Sequence, residues 1–500
     1  MGLKSFFIHK AGSFVAADIK KWKNTAVQDQ ERIMHTLVSE AKKTVFGKDH
    51  HFDMILDYQS FKKYIPVRDY EDLRQYIDSM VDGQSDVLWP GKPKYLAKTS
   101  GTTSGVKYIP ITHDSMPNHI ATARNALLNY FHQRGDGNVF DGKIIFLSGS
   151  PTLDLKGGIK TGRLSGIVNH EVPSWIRGNQ LPSYTTNCIE DWETKLDQIV
   201  LETIGQDMRL ISGIPPWVQM YYERLLEVTG KTTIKEVFPN LSLFMYGGVN
   251  YEPYRAKLEE LVGSRIDSIE TYPASEGFIA FQDDQGDNGL LLNTKSGIFF
   301  EFIPVENVFD KNPDRLMLAD VEVGKDYALV INNNAGLWGY NIGDCVRFVS
   351  LDPYKVIVSG RVKHYISAFG EHVIGKEVEE ALLTVANKWE ISIIEFTVAP
   401  QVNPPNGQKP YHEWWIEFDK IPTDMGQFAK EVDIEMCIQN IYYDDLIKGV
   451  ILQPLKIRVL QKDSFRNYMK TQGKLGGQNK VPRLSNDRKI VEELSQFIKG

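Results

Sequence analysis

The sequence predicts an α/β protein with a large N-terminal domain and a smaller α+β C-terminal domain. Between residues 112 and 271, segments with helical spacing of apolar residues alternate with short apolar runs. This alternation is typical of helices that cover mostly parallel sheets. From residue 277 to residue 358 the helical segments disappear, and a series of short strands predicts a small antiparallel sheet or barrel. Beyond residue 360, helices and strands form a separate pattern.

The first predicted elements are helices. Apolar residues recur at helical spacing between residues 11 and 47, which predicts helix with a break near the middle. A second helix is expected to begin after Asp69, whose side chain suits an N-cap. Farther along, Thr112 or Asp114 is expected to cap a helix that runs to about Arg134.

The alternating region supplies the predicted parallel strands. In such sheets ligands bind beyond the carboxyl ends of the strands. The expected strands are Lys143–Ser148, Arg209–Gly213, Leu241–Tyr246 and Arg265–Thr271, separated by helices at Asp191–Ile204, after Pro215 and at Glu252–Val262.

The later elements divide into two groups. The antiparallel group comprises Phe278–Phe281, Leu290–Asn293, Ile298–Ile303, Tyr327–Ile331, Tyr340–Phe348 and Lys355–Val358. The last group comprises helices at Gly375–Asn387 and Gly426–Gln439 and strands at Ile391–Val398, His412–Phe418 and Lys456–Leu460. We therefore place a domain boundary near residue 359, which gives domains of residues 1–358 and 359–500.

Composition and charge narrow the class of protein. The net charge of −7 argues against a nucleic-acid-binding protein, which normally has an excess of basic residues. No apolar run approaches the 18 residues of a membrane-spanning helix, and the first residues do not resemble a signal peptide. Cys188, Cys345 and Cys437 are far apart and lack metal-ligand spacing, so we expect reduced thiols in a cytoplasmic protein and no zinc.

The segment Thr99–Lys107, Thr-Ser-Gly-Thr-Thr-Ser-Gly-Val-Lys, has the composition of a phosphate-binding loop. Its flanking segments have extended character, so the loop is expected to join two strands. It is not a Walker A loop, because three residues separate its glycines and Tyr108 follows the lysine. The alternative is a polar hairpin without a ligand. The candidate phosphate-binding residues are Ser100, Gly101, Thr102, Thr103, Ser104, Gly105 and Lys107.

Two further motifs follow apolar strands. Gly247 and Gly248 would let an adenine ring lie against bare backbone. Tyr272 offers a stacking surface for a base, Ser275 a hydroxyl, and Glu276 a carboxylate suited to magnesium. The alternatives are a simple strand-ending turn and a solvated glutamate.

Three charged residues later in the chain complete the candidate site. Asp344, within Tyr-Asn-Ile-Gly-Asp, could accept both hydroxyls of a ribose. Arg361 lies at the domain boundary, and Lys480 lies in a glycine-rich segment that suits a cation moving to a reacting carboxylate and phosphate. A β-turn aspartate and a mobile surface lysine are the alternatives.

The order and spacing of these motifs resemble the adenylate-forming, acyl-activating enzyme superfamily. Within it, the chain is most similar to the Gretchen Hagen acyl acid amido synthetases, an auxin-responsive family that joins hormone carboxylates to amino acids. The most family-specific segment is Gln478-Asn-Lys-Val-Pro-Arg483. Three positions depart from the family pattern: Asn341 stands where arginine is usual, Pro273 replaces a small residue, and Lys363-His364 stands where the superfamily often has an aspartate hinge.

The resemblance implies the adenylate-forming fold, with a mobile C-terminal domain, and a two-step reaction. ATP and a small carboxylic acid would give an acyl-adenylate and pyrophosphate, after which an amino-acid amine would displace AMP. Magnesium held by Glu276, together with Lys107 and the loop, would bind the β- and γ-phosphates. Lys480 would stabilise charge shared by the attacking carboxylate and the α-phosphate, while Asp344 would bind the ribose with help from Arg361.

The acyl pocket implied by the resemblance would lie in the middle of the N-terminal domain. Trp217 and Leu128 are its candidate lining residues. The alternative is that both belong to the ordinary core, because apolar residues at helical spacing usually do.

Other functions remain open from the sequence. An acyl-CoA ligase shares the first half-reaction and transfers the acyl group to coenzyme A instead of an amine. A non-catalytic nucleotide-binding protein is less consistent with Glu276, Asp344 and Lys480 occurring together. A kinase or ATPase is less consistent still, because the loop lacks Walker spacing. No nucleic-acid or membrane partner is expected.

Overall fold

The structure is a computed structural model that divides into two compact units. It describes residues 3–100, 106–135, 137–172, 177–248, 251–287, 289–310, 312–362, 365–366, 373–402, 404–405, 408–473, 481–485 and 488–498. Unit 1 comprises Met1–Asn250, Glu259–Ile342 and Val346–Val358. Unit 2 comprises Tyr251–Leu258, Gly343–Cys345 and Ser359–Gly500. The functional division into an ATP- and acyl-binding domain and a mobile domain stays a prediction.

The elements are numbered in chain order. The helices are α1 Leu3–Lys23, α2 Ala26–Ala41, α3 Val45–Asp49, α4 Tyr58–Tyr64, α5 Tyr70–Val81, α6 Met116–Arg134, α7 Leu164–Glu171, α8 Tyr184–Asn187, α9 Trp192–Thr203, α10 Pro215–Thr229, α11 Ile234–Val237, α12 Glu252–Val262, α13 Gly375–Lys388, α14 Met425–Gln439, α15 Ile441–Lys448, α16 Ser464–Thr471 and α17 Lys489–Leu494. The strands are β1 Tyr95–Ser100, β2 Val106–Ile111, β3 Lys143–Phe146, β4 Asp154–Lys156, β5 Ile159–Gly162, β6 Gln180–Leu181, β7 Met208–Ser212, β8 Leu243–Gly247, β9 Asp267–Ala274, β10 Gly277–Gln282, β11 Leu290–Leu292, β12 Ile298–Pro304, β13 Asp326–Asn333, β14 Tyr340–Leu351, β15 Tyr354–Arg361, β16 Tyr365–Ile366, β17 Val373–Ile374, β18 Ile393–Gln401, β19 Tyr411–Phe418 and β20 Lys456–Leu460.

The main sheet has eleven strands in the order β12-β13-β14-β15-β11-β10-β9-β8-β7-β3-β6. Its second half, β9-β8-β7-β3-β6, is parallel throughout. At β9 the chain turns back through the pair Ala274↔Gly277 into antiparallel β10. The predicted parallel and antiparallel strands are therefore present, and they form one continuous sheet.

A second sheet of four strands, in the order β2-β1-β5-β4, carries the predicted phosphate loop. Strands β1 and β2 pair antiparallel, with Thr99 opposite Lys107 and Ser100 opposite Val106. The prediction that this loop joins two strands is confirmed. The loop residues 101–105 and the side chain of Ser100 lie outside what the structure describes.

Local side-chain hydrogen bonds fix where several helices begin. Asp69 accepts the backbone N–H of Glu71 at 2.8 Å and forms a capping box with Asp72, so its predicted N-cap role is confirmed. The predicted end of α6 at Arg134 is confirmed, but the predicted N-cap is wrong, because the helix begins at Met116 with Ser115 as its N-cap. Asp114 instead accepts the indole N–H of Trp89 at 2.9 Å.

Thr112 shapes the approach to α6 without capping it. Its hydroxyl oxygen accepts the backbone N–H of Ser115 at 3.0 Å, and the same hydroxyl donates to the carbonyl of Asn334 at 2.7 Å. Thr112 therefore stabilises a non-helical turn, and α6 begins only after this turn.

The core of unit 1 contains a fully buried ion pair. Glu301 and Arg315 have side chains that are 0% and 4% exposed, and their charged atoms lie 3.2 Å apart. Glu301 also accepts hydrogen bonds from Tyr58 Oη at 3.0 Å and Asn332 Nδ2 at 2.9 Å. Several donors thus satisfy one buried carboxylate that would otherwise be strongly destabilising.

Unit 2 contains a sheet of three strands, β18-β19-β20. Every residue of β19 is buried, because helices cover both faces of the strand. The charged Glu413 on this strand is neutralised by Arg458 and Arg488, each at 2.7 Å. This pairing explains how a strand with acidic residues can lie in the interior.

No helix of the described residues has both the length and the apolar character that crossing a bilayer requires.

We expect Arg315→Met to lower the free energy of unfolding by roughly 3–5 kcal/mol, because it leaves the buried charge of Glu301 without its cation. Urea denaturation followed by intrinsic fluorescence would measure the loss. Lys325→Met is the matched control, since Lys325 pairs with Glu322 at the surface, and a loss below about 1 kcal/mol is expected there. Equal losses in the two variants would contradict this account of the buried pair.

Candidate active site

The candidate site lies at the carboxyl ends of β3, β7, β8 and β9. Main-chain hydrogen bonds join these ends: Leu147 N–H donates to Ser212 at 2.8 Å, and Gly213 N–H donates to Met245 at 3.1 Å. The Thr271 hydroxyl donates to the carbonyl of Tyr246 at 2.7 Å. The four strand ends are thus held in register along one edge of the sheet, where ligands bind in parallel sheets.

Gly247 and Gly248 are required by the backbone at this edge. A Cβ on Gly247 would lie 2.6 Å from the Thr271 hydroxyl and 2.9 Å from Pro273 Cδ, which is too close for any side chain. Gly248 has φ +75°, a conformation that favours glycine. The edge at these two glycines consists of bare backbone, as the adenine-binding hypothesis requires. The contact between the glycines and adenine stays a prediction.

Tyr272 and Glu276 lie on the neighbouring strand end and turn. Tyr272 is buried, whereas Ser275 and Glu276 are half-buried. The carbonyl of Glu276 accepts a hydrogen bond from Asn333 Nδ2 at 2.7 Å. Asn333 Oδ1 in turn accepts two backbone N–H groups of the following turn, at 3.0 and 3.1 Å. A buried asparagine therefore fixes the backbone that carries the candidate metal ligand.

A second buried asparagine fixes the other side of this turn. Asn118 Oδ1 accepts the backbone N–H of Phe278 at 2.7 Å, and Asn118 Nδ2 donates to the Phe278 carbonyl at 3.2 Å. Asn118 lies at the start of α6, directly after the hairpin that carries the phosphate loop. Together with Thr112, it joins that hairpin to the Glu276 turn.

Lys107 lies at the base of the hairpin. Its ammonium is 5.5 Å from the centre of the Tyr70 ring, and the Tyr70 hydroxyl accepts the N–H of Tyr108 at 2.9 Å. Such a cation–π contact holds the lysine stem in place near the strands. Its role with phosphates stays a prediction.

The later site residues belong to unit 2. Asp344 is buried and lies within β14, not in a turn. Arg361 ends β15, and its side chain is outside the described part of the chain. Lys480 also lies outside the described residues, as does Lys363-His364, the position where the superfamily often has an aspartate hinge.

The chain just beyond Lys480 is firmly paired with β18. Val398 N–H donates to the carbonyl of Arg483, and Ser485 N–H donates to the carbonyl of Val398, both at 2.9 Å. The Thr397 hydroxyl donates to the carbonyl of Pro482 at 2.7 Å. Residues 482–485 are therefore an integral part of unit 2.

The two candidate acyl-pocket residues are both buried. Trp217 is 4% exposed, and its ring centre lies 5.0 Å from that of Trp192. Leu128 is 8% exposed and packs in a core cluster with Tyr130 and Phe131. Burial agrees with the alternative of an ordinary core role, and contact with an acyl group stays a prediction for both.

The structure therefore brings five of the predicted site residues together within unit 1, on two adjacent strands that pair through Gly247↔Thr271 and in the residues that directly follow these strands. These five are Gly247, Gly248, Tyr272, Ser275 and Glu276. Sequence reasoning missed Asn118 and Asn333, although the run Asn332-Asn333-Asn334 after an apolar strand was a signal for the second.

Glu276 can serve a magnesium ion that is shared with a nucleotide. Within the part of the chain that the structure describes, no group of three or more acidic, histidine or cysteine side chains could hold a metal by itself. Magnesium at nucleotide sites is held by one or two carboxylates together with phosphate oxygens. A single half-buried glutamate on a fixed turn fits that pattern.

The fold defines a class of protein. A solved structure of 2-hydroxyisobutyryl-CoA ligase in a post-adenylation state superposes with a TM-score of 0.59 at 12% identity, covering 95% of this chain and 92% of that one. This likeness shows the adenylate-forming fold, as the sequence predicted.

Models of one family match three parts of the chain. The GH3 family N-terminal domain matches residues 15–181, the central domain residues 291–359, and the C-terminal domain residues 376–489. The chain belongs to the GH3 family, and the Gretchen Hagen resemblance is confirmed.

Individual relatives agree with this assignment. The chain is 24% identical to the jasmonoyl–L-amino acid synthetase GH3.5 of Oryza sativa subsp. japonica, over 88% of this chain and 90% of that protein. It is 23% identical to the indole-3-acetic acid-amido synthetase GH3.4 of Arabidopsis thaliana, over 94% of this chain and 91% of that protein. A solved structure of the AtGH3.15 acyl acid amido synthetase has a TM-score of 0.80 at 18% identity, covering 98% and 96% of the two chains, and shows the same fold.

The buried residue His119, next to Asn118, allows the packing of the site to be tested. His119 is 4% exposed, and burial lowers its pKa to about 4. Because the unfolded chain has the higher pKa, its proton uptake lowers stability as pH falls from about 6.5 to about 4.

We expect His119→Leu to flatten this part of the pH profile of unfolding free energy. The wild-type protein should lose up to about 3 kcal/mol more than the variant between pH 7 and pH 4. Chemical denaturation at several pH values would measure the difference. Parallel profiles for the two proteins would show that His119 is not buried as a neutral side chain.

Proposed function

We propose that this protein activates a small carboxylic acid with ATP as an acyl-adenylate and then transfers the acyl group to an amino acid to form an amide. Membership of the GH3 family carries the proposal. It is supported by the edge where the bare backbone of Gly247 and Gly248 lies beside the turn that carries Glu276.

The nucleotide is assigned to unit 1 by the chemistry of its groups. The backbone N–H groups and hydroxyls of residues 100–105, with Lys107, would bind the β- and γ-phosphates. Adenine would lie against the bare backbone of Gly247 and Gly248 and stack on the Tyr272 ring, and the Ser275 hydroxyl would donate to the nucleotide. Magnesium held at Glu276 would supply positive charge that neutralises phosphate oxygens.

The residues of unit 2 are assigned to the ribose and to the reacting groups. Asp344 would accept the ribose hydroxyls, assisted by Arg361. In the first step an oxygen of the acid attacks the α-phosphorus and pyrophosphate leaves, while the Lys480 ammonium stabilises the charge on the reacting oxygens. In the second step the amine nitrogen attacks the acyl carbon, loses a proton, and AMP leaves.

The same evidence supports a proposal for the substrates and the compartment. The two named relatives act on jasmonic and indole-3-acetic acids, so we assign a small organic acid to this chain, with Trp217 and Leu128 as its candidate contacts. The three free cysteines fit the reducing cytoplasm, where ATP and amino acids are supplied.

A substrate panel tests the proposal. Aryl, indolyl and fatty acids are supplied with ATP and magnesium, with and without amino acids or coenzyme A, and pyrophosphate, AMP and acylated products are measured. We expect acid-dependent pyrophosphate and, with an amino acid, an amide. A thioester without any amide would establish the acyl-CoA ligase instead. Release of ADP would indicate a kinase or ATPase, and no turnover with any acid would favour a non-catalytic nucleotide-binding protein.

We expect Lys480→Ala to lower acid-dependent pyrophosphate release by roughly a hundredfold or more, the scale of losing one preorganised charge contact. ATP binding, measured by calorimetry, should largely survive. Lys462→Ala, which removes an exposed lysine of the same unit, is the control and should keep wild-type turnover. Unchanged pyrophosphate release in the Lys480 variant would remove this lysine from the mechanism.

A further inference from the structure

A buried lysine lies at the carboxyl end of β3, outside the residues assigned so far. Lys195 on α9 is only 3% exposed. Its ammonium donates to the carbonyls of Ser148 and Asn187, both at 2.9 Å. Ser148 follows β3 closely, so the lysine lies under the same edge of the sheet as the candidate nucleotide residues.

This ammonium has no carboxylate partner among the described residues. Its two hydrogen bonds go to neutral main-chain carbonyls, and no described carboxylate lies within ion-pair distance. Burial lowers the pKa of Lys195 to about 8; the nearby Cys188 opposes this shift, and Arg163 acts in the same direction as burial. The side chain is therefore still mostly charged at neutral pH, and burying an unpaired charge is costly unless an anion joins it.

A second cation lies beside the same loop. The exposed side chain of Arg163 runs along Gly149, with Cδ 3.1 Å and Nη1 3.9 Å from where a Cβ on that glycine would be. Of the carboxylates that the structure describes, none forms an ion pair with Arg163. Lys195 and Arg163 thus flank the dipeptide Ser148-Gly149, and their mutual repulsion would be relieved by a negative charge.

Polar atoms around Lys195 are also left without partners. Ser148 Oγ, Asn187 Oδ1 and Trp192 Nε1 are buried and make no hydrogen bond to any described residue. Buried polar groups are normally satisfied, so each of these atoms calls for a partner. Trp192 lies three residues before Lys195, on the same face of α9. The Ser148 hydroxyl and the Trp192 indole N–H are the donors that a carboxylate needs.

The position of this cluster identifies which substrate it would meet. The ring of Trp192 lies 5.0 Å from that of Trp217, a candidate acyl-pocket residue. Strand β7 separates β3 from β8, so Ser148 is roughly 10 Å along the edge from Gly247. If Trp217 contacts the acyl acid, the part of the acid that reaches Trp192 is the part that this cluster would meet.

We infer that Lys195 and Arg163, with Ser148 and Trp192, bind a second carboxylate at the distal end of the acyl substrate. The substrate class is then acids that carry a second carboxylate at the end away from the reacting one. This inference rests on the proposed acyl-activating function and specifies its substrate.

The test compares octanedioic acid with octanoic acid, which differ only in the distal carboxylate. Acid-dependent pyrophosphate release gives kcat/KM for each. We expect the wild-type enzyme to prefer the dicarboxylic acid by about ten- to a hundredfold, the range for hydrogen bonds to a charged group. Lys195→Met should bring the ratio of the two kcat/KM values close to one. Arg163→Gln, at an exposed position, should lower the ratio by a smaller factor and provides the test if Lys195→Met does not fold.

Lys235→Met is the matched control. Lys235 also donates to two main-chain carbonyls, those of Pro239 and Leu241, but it does so before β8, at the opposite edge of the sheet. Its removal should leave the ratio unchanged. Equal kcat/KM values for the two acids in the wild-type enzyme would overturn the inference. A preference for the dicarboxylic acid that survives both Lys195→Met and Arg163→Gln would also overturn it. A raised KM for the amino acid with an unchanged acid preference would also overturn it. Absence of turnover with any acid would count against the proposed function itself.

Discussion

The part of the candidate site on the main sheet of unit 1 depends on one constraint: four parallel strands must end together with their backbones in close contact. Gly247 approaches Thr271 so closely that no side chain fits, and the Thr271 hydroxyl bonds across to Tyr246. Parallel strands deliver their carboxyl ends to one edge, but a flat ligand needs that edge free of side chains. The Thr271 hydroxyl holds the strand ends together, and Gly247 and Gly248 keep this edge free of side chains.

Buried amides extend this constraint beyond the regular strands. The turn that carries Glu276 is held on one side by Asn333 and on the other by Asn118, which both donates to and accepts from Phe278. An asparagine can reproduce the pairing of a missing strand, because its side chain has the same donor and acceptor as a peptide group. The protein thereby fixes an irregular turn without adding a strand that would block the edge.

The sequence predicted the elements better than their contacts. Periodicity located α12 and β20 at their observed bounds, because each has a consistent apolar pattern. The start of α6 was placed too early, because no residue near Asp114 in the sequence indicates that its carboxylate accepts the indole N–H of Trp89. Periodicity also missed β4 and β5, which are very short and largely polar. Lys195 gave no signal at all, because its importance comes from burial by segments distant in sequence.

The described part of the most family-specific motif, Gln478–Arg483, explains one physical role of that motif, the anchoring of Arg483. The Arg483 guanidinium pairs with Glu395, lies 3.6 Å from Glu379, and covers the Phe396 ring at 4.6 Å. A planar guanidinium can stack on a ring and bond carboxylates in its own plane at once, whereas a lysine ammonium cannot. The motif therefore needs arginine at its end for the architecture of unit 2, separately from the chemistry assigned to Lys480.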